Sequence, residues 1–275
     1  MNTAAGSPYA GAVISVGTLH GKHTQFQPAF GRCHHATLHP TRTVDTDLLG
    51  TFTGETPRTL TPLEAATAKA HAALDESGGS YALATEASYA VAGGLFGPVI
   101  HEELVVFLDT TRGIRVTEQH RGFVTVAPPR TVHTHAEADA YLTRIGFPHQ
   151  GVVLRADDVV VVKGITDRDT IRRALRRGPV TLEPDLRAHH NPARRRTLRR
   201  LSWTLTTRLH TPCPACDAPG YGITGTIPGL PCRWCGAPTR TARADLHSCP
   251  ACTHHTTHPR PNTSADPATC DTCNP

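Results

Sequence analysis

The chain has 275 residues, of which 38% are hydrophobic and 19% are charged, a composition typical of a folded globular protein. No apolar run approaches the ~20 residues that cross a bilayer, and residues 1–9 lack the basic start and apolar stretch of a secretory signal. We therefore expect a cytoplasmic protein without a membrane partner. The formal net charge of +5 comes from residues 185–212, which hold seven arginines against Asp185.

The first predicted element is a short buried strand over the apolar residues 12–16. A helix then begins after Thr61 and ends near Glu76, because Thr61 suits an N-cap, Pro62 suits the first turn and Gly78 suits the end. Apolar and β-branched runs predict four more strands in this half, the last two as a pair, at residues 81–84, 103–108, 113–117 and 122–127.

Helical and strand patterns alternate again after residue 134. They predict helices at residues 135–145 and 167–176, and strands at residues 152–154, 159–162 and 180–182. Mixed strands and helices of this kind indicate an α/β fold. We expect a mixed sheet flanked by helices, with a parallel core and antiparallel additions, and assign it to residues 1–184.

A long arginine-rich helix is predicted from Pro192 to about Leu209, within a connecting segment of residues 185–210. Four leucines fall on one face of this helix, at positions 198, 201, 205 and 209. Five arginines cover the other face, at positions 194, 195, 196, 199 and 200. We expect this basic face either to be solvated or to pair with acidic residues of the α/β domain.

Eight of the nine cysteines form four CxxC pairs in residues 211–275. The pairs are Cys213/Cys216, Cys232/Cys235, Cys249/Cys252 and Cys270/Cys273. In a reducing compartment such pairs are metal ligands more often than disulfides, although a redox or disulfide array is the alternative. A CxxC turn presents two thiolates to one tetrahedral ion. The sequence therefore predicts a C-terminal double zinc-ribbon-like module with two structural zinc ions.

The pairing of the four motifs into two sites is open from the sequence. Sequential sites, the first pair with the second and the third with the fourth, are the simplest arrangement and the one we predict. Interleaved or nested pairing would satisfy the same chemistry. Gly236, which follows the second pair, suits a tight turn whose backbone N–H groups face the sulfurs.

Polar and ionisable residues follow several of the predicted strands. Because ligands of open α/β sheets bind at the carboxyl ends of strands, we expect these residues to converge on one pocket. The candidate pocket residues are His20, Lys22, Asp47, Thr51, Glu55, Arg58, Glu86, Ser88, Lys163, Asp185, Arg187 and His189. The cations suit an anionic or phosphorylated small molecule or nucleotide, and the carboxylates suit a divalent cation such as Mg²⁺. Ordinary loop polarity would give the same pattern without a site.

Cys33 is the one cysteine outside the CxxC pairs, and His34 and His35 follow it. A Cys–His nucleophile needs a base that is held in place beside the thiol. Nothing in the sequence orients a base there, so we interpret Cys33 as a thiol without a catalytic role.

The polar motifs, taken in order, resemble those of an uncharacterised bacterial family classed as a domain of unknown function. The resemblance rests on the segments 18–22 (TLHGK), 46–58 (TD..GTFTGE..R), 69–70, 85–86, 163–164 and 185–192 (DLRAHHNP), and on the CxxC pairs as far as residue 275. His23, the residues after Tyr89, and Pro184 depart from the pattern of that family. The resemblance implies no activity.

Three hypotheses about function follow from these patterns. In the first, the α/β domain is an enzyme or a ligand-binding domain for an anionic or nucleotide-like molecule, with structural zinc. In the second, the arginine-rich helix and the zinc ribbons bind nucleic acid, although the neutral zinc module and an aromatic content of 5% offer little for phosphates or bases. In the third, the chain is a non-catalytic interaction scaffold.

Overall fold

The computed structural model of the chain describes residues 6–18, 21–42, 60–92, 97–156 and 159–275. Its strands form three sheets: a five-stranded mixed sheet, a four-stranded antiparallel sheet, and a three-stranded sheet in residues 211–275, which we call the cysteine module. Five α-helices accompany the sheets within these ranges. None of the helices in this part of the chain is both long and apolar enough to cross a membrane.

The first sheet has the strand order β2-β1-β3-β4-β5. Its strands are β1 (Val13–Gly17), β2 (Thr37–Pro40), β3 (Tyr81–Val91), β4 (Val99–Asp109) and β5 (Ile114–Val124). β1 lies between β2 and β3 and runs parallel to both, whereas β3, β4 and β5 are antiparallel. The predicted mixed sheet, with a parallel core and antiparallel additions, is confirmed.

Helices α1 (His23–His34) and α2 (Pro62–Ser77) cover opposite faces of the first sheet. Phe26 and Phe30 of α1 pack on one face, in the same core cluster as Phe107 of β4. The other face is covered by the alanines of α2, whose small side chains allow a close approach. Gly17 permits the closest contact, because a Cβ there would lie 2.4 Å from the backbone oxygen of Lys69.

The second sheet has the order β6-β9-β7-β8 and its own core. Its strands are β6 (Arg130–Val132), β7 (Val152–Ala156), β8 (Val159–Ile165) and β9 (Val180–Pro184). Helices α3 (His135–Ile145) and α4 (Arg168–Leu175) pack against it, with Tyr141, Leu142 and Ile171 buried beside Leu154 and Leu182. The sequence predicts both helices and the strands β7, β8 and β9, but it misses β6 and does not separate these elements from the first sheet.

Helix α5 (Pro192–Leu209) joins the sheets to the cysteine module. All four of its predicted core leucines are buried against the α1 face of the first sheet. Arg208, near the end of α5, contacts both regions. Its guanidinium donates to the backbone oxygens of Gly220 and Ile223 in the module, and to the Glu118 carboxylate of β5 at 2.9 Å. This arginine therefore ties the module to the first sheet.

The basic face of α5 is not uniformly solvated. Arg194 is only 1% exposed and makes two 2.8 Å hydrogen bonds to Glu103 of β4, which is fully buried. Arg199 bonds Gln25 of α1, and Arg196 and Arg200 are on the exposed side. Pairing with an acidic residue of the α/β domain, one of the two predicted outcomes, is thus confirmed for Arg194.

Within residues 1–184, the structure contradicts one predicted strand pair and adds three elements that were not predicted, α1, β2 and β6. The strand pair at residues 113–117 and 122–127 is wrong: β5 runs without a break and pairs with β4 along its whole length. Gly122, the predicted first residue of the second strand, lies inside β5 opposite His101. Helix α1 was not predicted, because no side chain caps its start and it contains Pro28.

Candidate functional site

The eight paired cysteines form two groups of four in the cysteine module. The first cluster is Cys213, Cys216, Cys249 and Cys252, and the second cluster is Cys232, Cys235, Cys270 and Cys273. Contacts between pairs measure 3.9 Å (Cys213–Cys252) and 3.6 Å (Cys216–Cys249) in the first cluster, and 3.9 Å and 3.7 Å in the second. Four sulfurs bound tetrahedrally to one zinc ion at about 2.3 Å lie about 3.8 Å apart. The clusters therefore fit a metal ion, and their sulfurs are too far apart for a disulfide of about 2.05 Å.

Backbone N–H groups surround the sulfurs, as a thiolate site requires. Ala215, Trp234 and Ala251 each donate to the first sulfur of their own CxxC turn, at 3.3–3.5 Å. Such N–H groups stabilise negative charge on the ligating sulfurs. Gly236 has a φ of +73° and donates its N–H to the Cys232 backbone oxygen, so it makes the tight turn that the sequence predicts.

The predicted sequential pairing is wrong, because the first motif joins the third and the second joins the fourth. The reason is the single strand that lies between successive motifs: β10 (Gly222–Pro228), β11 (Ala242–Ser248) and β12 (His255–Pro259). These strands are antiparallel neighbours, so each one carries the chain to the opposite end of the sheet. Alternate motifs therefore meet. Gaps of 13–17 residues would also accommodate the returning hairpin that sequential pairing needs.

An internal repeat in the sequence was a missed signal for this pairing. The segments 212–219 (PCPACDAP) and 231–238 (PCRWCGAP) share the pattern P-C-x-x-C-x-A-P. Each closes the same way, with a bridge between its two prolines and a 2.8 Å hydrogen bond from the first cysteine N–H to the following alanine oxygen. Two equivalent turns of this kind belong to two different sites. Within the described residues no histidine joins either cluster.

A second group of polar residues lies where β1 ends beside β3. We call this region the carboxyl edge and define it by Gly17, Lys22, Lys69, Thr85 and Glu86. The connection that leaves β1 runs to one side of the sheet, toward β2, and the one that leaves β3 runs to the other side, toward β4. In open α/β sheets, ligands bind at the carboxyl ends of strands where the connections diverge in this way.

Two buried lysine contacts hold the carboxyl edge together. Lys69 of α2 forms an ion pair with Glu86 of β3, and both side chains are less than a tenth exposed. Lys22, at the start of α1, donates to the Thr85 hydroxyl at 3.1 Å. Burial lowers the pKa of Lys22 to about 8, and the nearby Arg194 charge adds to the effect, while Glu86 and Glu103 oppose it. The ionisable side chains of Lys22, Lys69 and Glu86 thus meet at this edge.

Lys22 opens onto a cavity of about 310 Å³, which we call the Lys22 cavity. His189 and Arg195 also line it, together with Gln25 of α1. Arg195 is oriented by a 2.7 Å hydrogen bond from its Nη1 to the His189 backbone oxygen. The cavity thus brings together two of the predicted pocket residues, Lys22 and His189, from segments more than 160 residues apart in the sequence. It adds Arg195, which the sequence predicts on the basic face of α5.

The other predicted pocket residues that the structure describes do not line the Lys22 cavity. Glu86 and Ser88 line a separate cavity of about 360 Å³, where the Ser88 hydroxyl donates to Glu102 at 3.3 Å. Lys163 is part of β8 in the second sheet. Asp185 binds Arg187 in an ion pair and accepts the N–H of Gly164, which fixes the loop before α5. His20, Asp47, Thr51, Glu55 and Arg58 lie outside the described residues.

Cys33 lies in the last turn of α1, and no Cys–His arrangement is built there among the described residues. The ring of its neighbour His34 is buried and engaged by the Ser7 hydroxyl.

The fold and the clusters define a mixed α/β protein with a C-terminal module that could bind two metal ions. The chain belongs to the family described as "Domain of unknown function (DUF6671)", whose model matches residues 69–275. The resemblance to an uncharacterised family is therefore confirmed. No curated protein matches the chain.

Proposed function

We propose that the α/β part of the chain binds an anionic or phosphorylated small molecule, a nucleotide included, in the Lys22 cavity, and that zinc in the cysteine module is structural. One observation carries the proposal: Lys22, His189 and Arg195 gather around a single cavity at the carboxyl edge. Two of the three side chains carry a positive charge near pH 7, and no carboxylate lines the cavity among the described residues. An anion would offset that charge.

The position of the cavity supports the same class of ligand. It lies beside the start of α1, and a helix start favours negative charge. Arg195 has a planar fork that binds phosphate or carboxylate with two hydrogen bonds, whereas Lys22 supplies a point charge. Any divalent cation such as Mg²⁺ would draw on Asp47 and Glu55, which remain candidates from the sequence alone.

Zinc is the metal that the cysteine clusters fit best. Four thiolates leave no open position for water or substrate, which is the arrangement of structural rather than catalytic zinc. The ion would stabilise a module that is rich in polar residues and has a small apolar core around Tyr221. Eight reduced thiols suit a reducing compartment, so we place the protein in the cytoplasm.

A matched pair of variants tests the anion site. Isothermal titration with inorganic pyrophosphate and with ATP should show binding that Arg195→Ala weakens about tenfold or more. Arg196→Ala removes the same charge from the next residue of α5, which is exposed and does not line the cavity, and should leave the affinity unchanged. No anion binding, or equal losses in both variants, would refute the site.

Nucleic-acid binding remains a competing function. Arg194 and Arg208 are buried in ion pairs with Glu103 and Glu118, so much of the charge predicted for this helix is neutralised inside the fold. If nucleic acid is the partner, affinity should fall steeply with salt and Arg196→Ala should weaken it as much as Arg195→Ala. A non-catalytic interaction scaffold would show neither a steep fall of nucleic-acid affinity with salt nor equal losses of affinity in the two arginine variants.

A further inference from the structure

A second cavity, separate from the Lys22 cavity, lies between the first and second sheets. It measures about 450 Å³, within the range of about 300–1,000 Å³ for small-molecule pockets. We call it the Tyr89 cavity. Aliphatic side chains line one end. They include Val124 of β5, Val126 of the linker between β5 and β6, and Ile145 of α3. The other end is lined by rings and amides.

The rings at the polar end are held in a fixed arrangement. Tyr89 of β3 and His101 of β4 are stacked, with ring centroids 4.7 Å apart, and His120 of β5 lies 6.4 Å from His101. His101 is only 2% exposed, and its Nε2 is 3.2 Å from Glu103. Because the stacked rings of Tyr89 and His101 support each other and both line the cavity, they form one rigid aromatic wall that a planar ligand can pack against at little entropic cost.

The hydrogen-bonding directions at this end are set by the surrounding protein. Burial alone would raise the pKa of Glu103, but Arg194 and the hydrogen bond to His101 lower it to about 2, so the carboxylate is ionised. It therefore accepts the Nε2–H of His101.

Two side-chain amides add to this pattern. Gln150 donates through Nε2 to the backbone oxygens of Gly151 and Asp185, each at 2.9 Å, which makes its Oε1 the acceptor end. Asn191 accepts the Arg194 N–H at Oδ1, so its Nδ2 is the donor end. The cavity wall thus combines donors and acceptors whose orientation is fixed before any ligand arrives.

The charge of the cavity is low. Glu103 and Arg194 neutralise each other behind the wall, and neither lines the cavity. Arg144 is the one lysine or arginine among the lining residues, and its side chain is exposed. A neutral ligand fits this environment better than a strongly anionic one, since no buried charge would offset a phosphate there.

We infer that the Tyr89 cavity binds a neutral, flat heteroaromatic molecule of nucleoside size, with its ring on the Tyr89–His101 wall and its polar edge toward Asn191 and Gln150. This site is independent of the anion site at the carboxyl edge.

The test uses adenosine, guanosine, cytidine and uridine as probes, each titrated into the full chain and followed by saturation-transfer NMR and calorimetry. Ala193 lies on the exposed surface of α5 and lines the cavity, so Ala193→Phe should fill it and weaken nucleoside binding at least tenfold. Thr204→Phe places the same ring elsewhere on α5 and should not change binding. His101→Phe keeps the ring stack but loses the hydrogen bonds, and should also weaken binding.

Inorganic pyrophosphate separates this inference from the proposed anion site. Its binding should depend on Arg195 and not on Ala193, whereas nucleoside binding should depend on Ala193 and not on Arg195. Failure of all four nucleosides to bind at millimolar concentration, or binding that Ala193→Phe leaves intact, would overturn the inference whatever pyrophosphate does.

Discussion

The cysteine module and the carboxyl edge assemble their polar groups in opposite ways. In the module, each pair of ligands sits in one short turn that is recognisable from its own sequence, and only the combination of turns depends on the fold. At the carboxyl edge, Lys22, Lys69 and Glu86 come from three separate elements and meet only because β1 and β3 are neighbours. The ligands of a local site can therefore be recognised from their spacing in the sequence. For a site that the topology assembles, the sequence shows the individual residues but not which of them come together.

The largest expected effect concerns the pairing of the cysteine motifs. We expect the wild-type chain to carry two zinc ions in native mass spectrometry. Replacing all four cysteines of the first cluster by serine should leave one ion, held by the second cluster. Replacing Cys213, Cys216, Cys232 and Cys235 instead should leave none. If this second variant keeps one ion and the first keeps none, the pairing is sequential.

An ion pair of the first sheet and one of the cysteine module extend the comparison to the sheet that carries the carboxyl edge. Glu103→Gln leaves Arg194 buried without its carboxylate, which should lower the free energy of unfolding by about 3–5 kcal/mol. Asp245→Asn breaks the partly exposed pair with Arg260 in the module and should cost only ~0–1 kcal/mol. Urea unfolding measures both, and similar losses would mean that burial does not govern these pairs.

The Glu103 pKa also predicts how stability changes with acid. Its pKa in the folded chain, about 2, is below the usual value of 4.5, so its stabilising contribution is complete above about pH 4.5. That contribution is lost as pH falls toward 2. Between pH 5 and pH 2.5, the urea midpoint should therefore fall less for Glu103→Gln than for the wild-type chain.

Glycines in the two regions should respond differently to a methyl group. Gly17→Ala places Cβ against the backbone of α2 at Lys69 and should destabilise the chain by about 1–3 kcal/mol. Gly225→Ala in β10 meets no atom within 4 Å and should be neutral or slightly stabilising. Thermal unfolding of the two variants, with zinc present throughout, makes this comparison, and a stable Gly17→Ala would contradict the close packing.

The smallest effect concerns the pH dependence of anion binding. Because the Lys22 pKa is lowered to about 8, its positive charge is present below that pH and is lost above it. Pyrophosphate affinity should therefore fall by a few-fold between pH 7 and pH 9. Lys22→Arg keeps its charge over this range and should give a flatter profile in the same titration. If the wild-type chain and Lys22→Arg gave parallel pH profiles, a group other than Lys22 would cause the pH dependence.

The sequence predicts local features well and long-range ones poorly. The capping box of Thr61 and Glu64, the terminal Gly78, and the leucine face of α5 were all readable, because each depends on residues within a few turns of one another. The separation into two sheets was not, since β6 pairs with β9 across about 50 residues. The cysteine pairing failed for the same reason: spacing fixes each turn but not the strand direction between turns.

The polar motifs show the same limit at the candidate site. The resemblance to the family placed Asp185 and His189 in one motif, yet Asp185 fixes a loop through Arg187 and Gly164, while His189 lines the Lys22 cavity. The chain has only three lysines, Lys22, Lys69 and Lys163, and of these Lys22 lines that cavity. No pattern distinguished Arg194, which is buried, from Arg195, which faces the cavity, because adjacent positions on a helix are separated only by what packs against them.

The alternation of the cysteine motifs sets an order for synthesis on the ribosome. Neither native cluster is complete until Cys252 has been made, although Cys213, Cys216, Cys232 and Cys235 already exist together. The ~17 residues between Cys235 and Cys252 take about 1–3 s at the usual 5–20 residues per second. During that interval the four early thiols of the module exist without the cysteines that are their native partners. The first cluster then closes before the second, which waits for Cys273.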